Sequence, residues 1–428
     1  ASDVYKRQDF ALILGALFLF KLSGSLDMDS ISGINLAGAL PLSAFILLAI
    51  GAIGKIGGFP FHVWIPDASE KVPSPFMAYI PASLDKLVGI YLLYRILSDF
   101  FVFTHTSFAS FFLMIIGAFT VVLSVMMALV QDDMKKIIAY LNISAAGYMM
   151  MGMATANFLG KSGALFYLFS TTLWTALLFF VAGSVEARAG SSKLSLVSGT
   201  GKWMPLTFSG FVAGGLAISG VPPLNGFFSK WMIYQGIIQL SRADGIGRLW
   251  IVWLSAAMFG SVITLASIMR PLYSVFLSEA GLKRERNNKD IREAGITMTF
   301  PIILLAALCV IFGIFAYELP LRFFVLPFVS GVLPVTEWMG WWQPGLATFL
   351  IVVGIVVGVL VYFLVRVRGG REDVSYIGGE SLREDMIVNG VNFYDTVVEF
   401  IGLRRLYRIA ERGALDVYKG MLNFSKGI

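Results

Sequence analysis

The sequence has little of what a soluble protein or a metalloenzyme needs. Only 14% of its 428 residues are charged, whereas soluble domains carry about 25%. The single cysteine, Cys309, excludes an intrachain disulfide and a CxxC motif. The two histidines, His62 and His105, argue against a bis-histidine haem or zinc site. Hydrophobic residues make up 57% of the chain, which indicates an all-α, polytopic transmembrane helical bundle.

Ten apolar stretches approach the roughly 20 residues with which a helix crosses a bilayer. They cover about residues 10–22, 38–58, 78–98, 107–130, 136–156, 161–185, 203–240, 247–277, 297–318 and 344–366. The seventh is too long for one straight helix. It contains Pro222 and Pro223, and because proline removes a backbone donor and clashes with the preceding turn, we predict a broken helix there. The second stretch meets a similar break at Pro60. Paired breaks in two halves of a chain are typical of inverted-repeat transporters.

Charges in the loops predict the orientation. Lysines and arginines number 11 in the loops after even-numbered stretches and 5 in the loops after odd-numbered ones. The positive-inside rule places the richer set in the cytoplasm, with the tail at residues 369–428 on the same side. A charged stretch at about 391–425 is predicted to be an amphipathic helix on the membrane or on a partner subunit. The net charge of +6 does not indicate nucleic-acid binding, because the basic residues are scattered over loops.

Three lysines lie inside or beside apolar stretches: Lys55 before the first break, Lys86 in the third stretch, and Lys230 after the second break. Ionisable groups within a membrane cost about 2.5–3.5 kcal/mol on insertion scales and mark functional sites by default. Burial disfavours the charged form of an amine, so these lysines are candidates to exchange protons near neutral pH. Snorkelling to an interface is the alternative for Lys55 and Lys230. Asp85 could form an ion pair with Lys86, although adjacent residues on a helix need not face each other.

Three segments, taken in order, resemble a known family. They are 55–68 (KIGGFPFHVWIPDA) with 71–75 (KVPSP), 132–140 (DDMKKIIAY) followed by Ser144, and 220–230 (GVPPLNGFFSK). Over about residues 9–320 they resemble the antiporter-like membrane subunits of respiratory complex I, of Mrp-type sodium/proton antiporters and of membrane-bound nickel–iron hydrogenases. Two later segments, 376–380 (YIGGE) and 392–395 (NFYD), look more like the hydrogenase and sulfur-reducing complexes.

The resemblance implies a bundle of two inverted five-helix repeats, each with one broken helix. Residues 9–106 are then expected to form a partial first antiporter-like repeat, 107–277 the second repeat, and 278–368 additional transmembrane helices and loops. Residues 1–8 are polar and run directly into an apolar stretch. We interpret them as an artefact joined to a fragment, a genuine polar terminus being the alternative. More apolar spans are expected upstream, including the family's glutamate that pairs with the lysine matching Lys55.

The resemblance also implies the site. It makes Lys55 the lysine of the first half-channel, Lys86 the connecting lysine and Lys230 the terminal lysine of an ion path. The residues expected to support the three lysines are His62, Asp67, Asp85, Pro60, Pro222, Pro223 and Ser229.

The middle of this path departs from the family. The positions that often carry histidine or lysine are Thr171 and Thr175 here, and another common histidine matches Ala146. Three interpretations stay open. Hydroxyls and water bridge the middle of the ion path, the subunit conducts ions poorly, or the complex is coupled to a different ion.

The expected function is translocation of protons or Na⁺ in a redox-driven complex of the NADH dehydrogenase or hydrogenase type. The chain is expected to cross the lipid bilayer of a prokaryotic cell membrane several times. Its expected partners are other membrane subunits. The chain has no flavin, iron–sulfur or quinone motif, so no cofactor is expected in it and electron transfer falls to partner subunits. The alternatives are an Mrp-type Na⁺/H⁺ antiporter subunit without a redox partner, and a structural subunit that does not conduct.

Overall fold

A computed structural model describes residues 2–28, 31–105, 107–242, 248–278 and 291–330, and positions 349, 350, 353, 354, 356–358, 360, 404, 405, 407 and 408. In the continuous ranges the regular elements are helices, beside two isolated β-bridges. In chain order the helices are α1 (Ser2–Ser23), α2 (Ala39–Ile56), α3 (Trp64–Lys71), α4 (Ser74–Phe100), α5 (Phe108–Leu129), α6 (Met134–Ala154), α7 (Phe158–Ala189), α8 (Pro205–Ser219), α9 (Asn225–Gln239), α10 (Trp250–Leu277), α11 (Ile296–Ile314) and α12, a π segment (Tyr317–Val325) that continues into Leu326–Ser330.

Among the described helices, seven are long and apolar enough to cross a membrane: α2, α4, α5, α6, α7, α10 and α11. The first nine predicted stretches each correspond to helices found here, with bounds that differ by a few residues, except that α1 begins well before residue 10. The tenth stretch, 344–366, lies mostly outside the described residues, as does the predicted tail helix at 391–425. The prediction of an all-α transmembrane bundle is therefore confirmed, while the division into repeats stays a prediction.

Both predicted helix breaks are present. Helix α2 ends at Ile56, and Gly57 follows with φ 78° in the left-handed region that favours glycine. Helix α8 ends at Ser219, and Gly220 follows with φ 80°. The peptide bonds Phe59–Pro60 and Pro222–Pro223 are cis. After these loops the chain resumes as α3 and α9, so the second break divides the seventh apolar stretch into two helices, while the first break ends the second stretch before α3.

Helices α6 and α7 form the centre of the bundle, and nearly every residue of α6 is buried. Asp133 caps α6 by accepting from the backbone N–H groups of Lys135 (2.8 Å) and Lys136 (3.2 Å). Asn157 caps α7 by accepting from the N–H of Gly160 (2.8 Å). These caps satisfy N–H groups that a helix start leaves without an intrahelical partner. The caps fix the residues at which the two central helices begin, and therefore the positions of their polar residues along the axis of the bundle.

Ion pairs join the helices at the end of the bundle where α6 begins, which we call the basic end. Lys135 binds Glu186 of α7 at 3.0 Å, and Lys136 binds Glu70 of α3 at 2.7 Å. The other end, where α6 ends and α7 begins, is called the outer end because the loop charges predict that orientation. The basic end is thus tied by charges across α3, α6 and α7, away from the middle of the bundle.

Candidate functional site

Lys230 lies at the second helix break and is 3% exposed. Its Nζ donates to the carbonyl oxygens of Ile218 (2.9 Å) and Ser219 (3.4 Å), the last residues of α8. The final carbonyls of a helix have no intrahelical partner and carry the negative end of the helix dipole. The break therefore supplies an ammonium-binding position in the interior of the bundle. Gly220 leaves room for it, because a Cβ there would lie 3.0 Å from Lys230 Cδ.

Hydroxyl groups complete the surroundings of Lys230. Its Nζ donates to Ser261 Oγ of α10 (2.9 Å), which also contacts the hydroxyls of Tyr234 (2.7 Å) and Tyr148 (3.0 Å). The Nζ lies 4.8 Å from the centroid of the Tyr148 ring, within the range of a cation–π contact. A cavity of about 100 Å³ borders this group and is lined by Ser219, Gly220, Phe227, Lys230, Trp231, Tyr234 and Ser261. It can hold water, because it is polar and larger than the roughly 10–15 Å³ one water needs.

Lys86 lies in the middle of α4 and is completely buried. It follows a π segment, Ile80–Leu84, a distortion that frequently marks functional sites. Its Nζ donates to both the backbone carbonyl and the side-chain Oδ1 of Asn142 on α6. The Asn142 amide in turn donates to the carbonyl of Pro81 (3.3 Å), inside the π segment. Lys86 thus binds a neutral amide.

The two predicted threonines lie between these lysines. Thr175 Oγ1 donates to Asn142 Oδ1 at 3.3 Å. Thr171 is one helical turn away on the same face of α7, completely buried, and its hydroxyl has no hydrogen-bond partner among the described residues. One turn further lies Tyr167, whose ring packs on Tyr148 at 5.6 Å. The middle of the expected ion path therefore contains hydroxyl and amide groups, at positions where members of the resembled family often carry histidine or lysine.

Lys55 has different surroundings from the other two lysines. It lies in the last turn of α2, its side chain is 24% exposed, and its Nζ is 3.9 Å from Asp9 Oδ1 of α1. Asp9 is itself largely exposed. A cation in the last turn of a helix is stabilised by the helix dipole. The carboxyl end of α2 and the partly exposed carboxylate of Asp9 thus stabilise the ammonium of Lys55.

The predicted supporting residues have mixed placements. His62 lies against the Phe59 ring, with centroids 5.7 Å apart, and Asp67 is exposed in the first turn of α3. Ser229 donates to the carbonyls of Asn225 (3.0 Å) and Gly226 (3.2 Å) on its own helix, so it supports α9 and not the Lys230 head group. The three prolines lie in the loops of the two breaks, as expected.

Sequence reasoning missed the residues that bind the lysines. Asn142, Tyr148 and Ser261 all contact a lysine or one of its partners. The sequence does contain a signal for Asn142, since burying an amide in the middle of an apolar helix costs free energy unless the amide is hydrogen-bonded. No sequence signal marks Ser261, because single serines are common in membrane helices. Among the described residues, no group of three or more His, Cys, Asp or Glu side chains could hold a metal ion.

Comparison with protein families supplies independent information. The family model described as "NADH:quinone oxidoreductase/Mrp antiporter, TM" matches residues 6–264. This match includes both breaks and all three lysines.

Curated relatives agree with this match. The chain is 32% identical over 322 residues to NADH-quinone oxidoreductase subunit N of Desulforudis audaxviator, covering 71% of this chain and 61% of that protein. It is 29% identical over 322 residues to hydrogenase-4 component B of Escherichia coli, covering 71% of this chain and 47% of that protein. The chain thus spans about half to three fifths of the length of these two relatives.

Solved structures share the fold. A chain of the membrane-bound sulfane sulfur reductase, an archaeal respiratory membrane complex, matches with a TM-score of 0.79 and 23% identity, over 99% of this chain and 70% of that chain. A chain of the Mrp complex from a Dietzia species matches with a TM-score of 0.66 and 20% identity, over 74% of this chain and 65% of that chain. At these identities the likeness concerns the fold.

Proposed function

We propose that this chain, which belongs to the NADH:quinone oxidoreductase/Mrp antiporter family of transmembrane subunits, translocates protons, or Na⁺, within a redox-driven membrane complex. Its relatives are named as subunits of NADH-quinone oxidoreductases and as a hydrogenase component. The partners would be other membrane subunits that carry out electron transfer. This subunit would add an ion path through the bilayer.

One observation carries the proposal: two hydrogen-bonded groups of buried polar side chains, one at Lys86 and one at Lys230, are separated only by Thr171 and Tyr167 of α7. Lys86 binds Asn142, and Asn142 binds Thr175. At the other side Lys230 binds Ser261, and Ser261 binds Tyr148. Buried polar groups are expensive unless they are hydrogen-bonded, so a row of them through a bundle core favours a functional path over packing.

Thr171 and Tyr167 separate the two groups. Thr171 lies about 6 Å along the α7 axis from Thr175 and from Tyr167, the rise of four helical residues. Because its hydroxyl has no partner among the described residues, it can bind water on the side of each neighbour. Ser144 on α6 also has a buried hydroxyl without a partner in this part of the chain. Water at these hydroxyls would close the path without a central histidine or lysine.

The lysines would work by changing protonation. A charge change at a neighbouring subunit alters the energy of the nearest ammonium, and the proton moves along the row to the next group. Moving one charge across the membrane potential costs about 2.3 kcal/mol per 100 mV. Lys230 is suited to this step, since carbonyls stabilise its charged form and the adjoining cavity supplies water to take its proton.

The test is ion transport by vesicles that hold the intact complex, driven by its own redox reaction. We expect Lys230→Arg and Lys86→Arg to assemble and to lose most transport, because arginine keeps the charge but cannot release a proton at physiological pH. Recording transport with and without Na⁺ identifies the ion.

The matched control is Lys135→Arg. Lys135 is also buried, but it is ion-paired with Glu186 at the basic end, and arginine can retain that pair. We expect it to transport like the parent. Full transport by Lys230→Arg and Lys86→Arg would make both lysines fixed charges and would exclude the proposed path.

The orientation has its own test. If the tail and the loop at about 278–296 are cytoplasmic, single cysteines there react with a membrane-impermeant thiol reagent only after the cells are opened. Labelling of either segment in intact cells would reverse the predicted orientation. Cys309 is buried, so the native cysteine should give little background.

A further inference from the structure

A fourth lysine is buried at the outer end and takes no part in the path described above. Lys161 lies in the first turn of α7 and is 3% exposed. Its Nζ donates to Ser98 Oγ of α4 at 3.1 Å and lies 5.8 Å from the centroid of the Tyr94 ring. A charged group near it is Asp99, which forms an ion pair with Arg95. We call Lys161, Ser98, Tyr94, Asp99 and Arg95 the outer cluster.

Two ordinary explanations of Lys161 do not fit its surroundings. A snorkelling lysine puts its ammonium in water, whereas Lys161 turns inward to a neutral hydroxyl. A cation that stabilises a helix lies at the carboxyl end, whereas Lys161 is in the first turn, where the helix dipole disfavours it. The neighbouring carboxylate, Asp99, favours the charged form of Lys161 but is itself paired with Arg95. The neighbours of Lys161 therefore offset only part of the cost of its burial.

The outer cluster and Lys86 are built on the same two helices. Ser98 and Asp99 belong to the second π segment of α4, Ile96–Phe100, and Lys86 follows the first, Ile80–Leu84. Helix α7 contacts both sites, through Lys161 at one and Thr175 at the other. The two sites are about 18 Å apart along α4, at 1.5 Å per residue from position 86 to position 98.

An apolar groove lies along these helices between the two sites, and it is open on one side, where Leu87, Phe324 and Phe328 are exposed. Its volume is about 170 Å³, and its other lining residues are Leu165, Leu168, Phe169, Thr172 and Val325. Apolar side chains thus separate Lys86 from the outer cluster on this face of α4 and α7, and a proton could pass between the two sites only where water enters.

We propose that Lys161 is the group through which the Lys86 side of the path exchanges protons with the outer aqueous side. This rests on the proposed function above. In one cycle the Lys161 ammonium releases a proton to water beside Asp99 and Arg95, which are partly exposed. The neutral amine then accepts a proton that leaves Lys86 through water that enters between α4 and α7. Lys161 is unchanged over the cycle, and one proton has passed from Lys86 to the outer side.

The decisive experiment compares two substitutions in vesicles that hold the intact complex. Lys161→Met keeps the length of the stem and removes the charge, whereas Lys161→Arg keeps the charge and a donor to Ser98. We expect both to assemble and both to lose most proton transport. A purely structural cation predicts instead that Lys161→Arg transports like the parent, and that result would overturn the proposal. Lys21→Arg, an exposed lysine of α1 near the same end, is the control and should transport normally.

A second measurement is independent of transport. In a Cys309→Ala background, a cysteine introduced by Asp99→Cys, at the partly exposed edge of the outer cluster, should react with a small membrane-impermeant thiol reagent added from the outer side. Failure to react from that side would remove the aqueous access that the proposal requires. Lys230→Arg, measured in parallel, separates the two proposals. If it abolishes transport while Lys161→Arg does not, only the role of Lys161 is wrong, and if both transport normally, the proposed function fails as well.

Discussion

At both helix breaks the chain turns in the same way. Gly57 and Gly220 adopt φ values of 78° and 80°, and in each case the N–H of the glycine and of the next residue bond back to carbonyls of the last turn. This is the Schellman pattern of helix ends. It needs a left-handed residue, which explains the glycine at each site.

The lysines make the two breaks different. Lys55 precedes its break and belongs to the helix that ends there, where it is partly exposed beside Asp9. Lys230 follows its break and reaches back twelve residues to the carbonyl of Ile218. Because it comes from the second helix, its ammonium can occupy the carboxyl end of the first. The same backbone turn thus gives a buried cation site only where the lysine lies beyond it.

The segments after the breaks differ as well. Helix α3 has 8 residues and ends at the basic end, whereas α9 has 15 and passes beside α7 to the outer end. A longer second helix places Lys230 between α8, α10 and Tyr148 of α6. Burial of the second site therefore depends on packing around α9 as well as on the break.

The largest expected effect comes from cutting the connection between the two halves. Asn142→Leu has nearly the same shape but removes the oxygen that Lys86 and Thr175 share. We expect transport to be lost, and stability to fall by about 1–3 kcal/mol for the donors left buried without an acceptor. Transport in vesicles and thermal unfolding of the complex measure the two effects.

The matched control for Asn142→Leu is Gln131→Leu, which removes an amide that donates to the carbonyl of Met127 at the basic end. It should transport normally. If Asn142→Leu also transports normally, the two halves are not joined through α6.

A smaller effect should separate the two glycines. Gly57→Ala and Gly220→Ala each force an alanine into the left-handed region, at about 1–2 kcal/mol. The new Cβ at position 57 would lie 2.2 Å from Ile65 Cδ1, so a side chain must also move, whereas at position 220 it would lie 3.0 Å from Lys230 Cδ. We expect Gly57→Ala to lower the unfolding temperature more and Gly220→Ala to lower transport more. If Gly57→Ala and Gly220→Ala lost transport equally, the position of the lysine before or after a break would not determine which break matters for transport.

The sequence predicted the helices and breaks well because both follow from local chemistry. An apolar stretch of about 20 residues has to be helical in a bilayer, since its backbone groups have no other partners. The prolines and Gly57 and Gly220 stop a helix by their own geometry. The lysines were also visible, because a cation in an apolar stretch stands out.

The partners of the lysines could not be predicted in the same way. Ser261 meets Lys230 from 31 residues further along the chain, and Asn142 meets Lys86 across 56 residues. Such contacts depend on how whole helices rotate and pack, which periodicity does not fix in a bundle with apolar residues on all sides. The resemblance indicated that the middle of the ion path, at Thr171 and Thr175, has few ionisable groups. The amide that binds there belongs to Asn142, which lies on another helix.

The smallest effect is expected at the exposed pair. Asp9 and Lys55 are 3.9 Å apart and their side chains are 56% and 24% exposed, and partly exposed pairs stabilise a protein by about 0–1 kcal/mol. Asp9→Asn should therefore change the unfolding temperature little and leave most transport intact. A double-mutant cycle with Lys55→Met measures the coupling. If Asp9→Asn abolished transport as fully as Lys230→Arg, the exposed pair would belong to the path, and exposure would not be what separates the first break from the second.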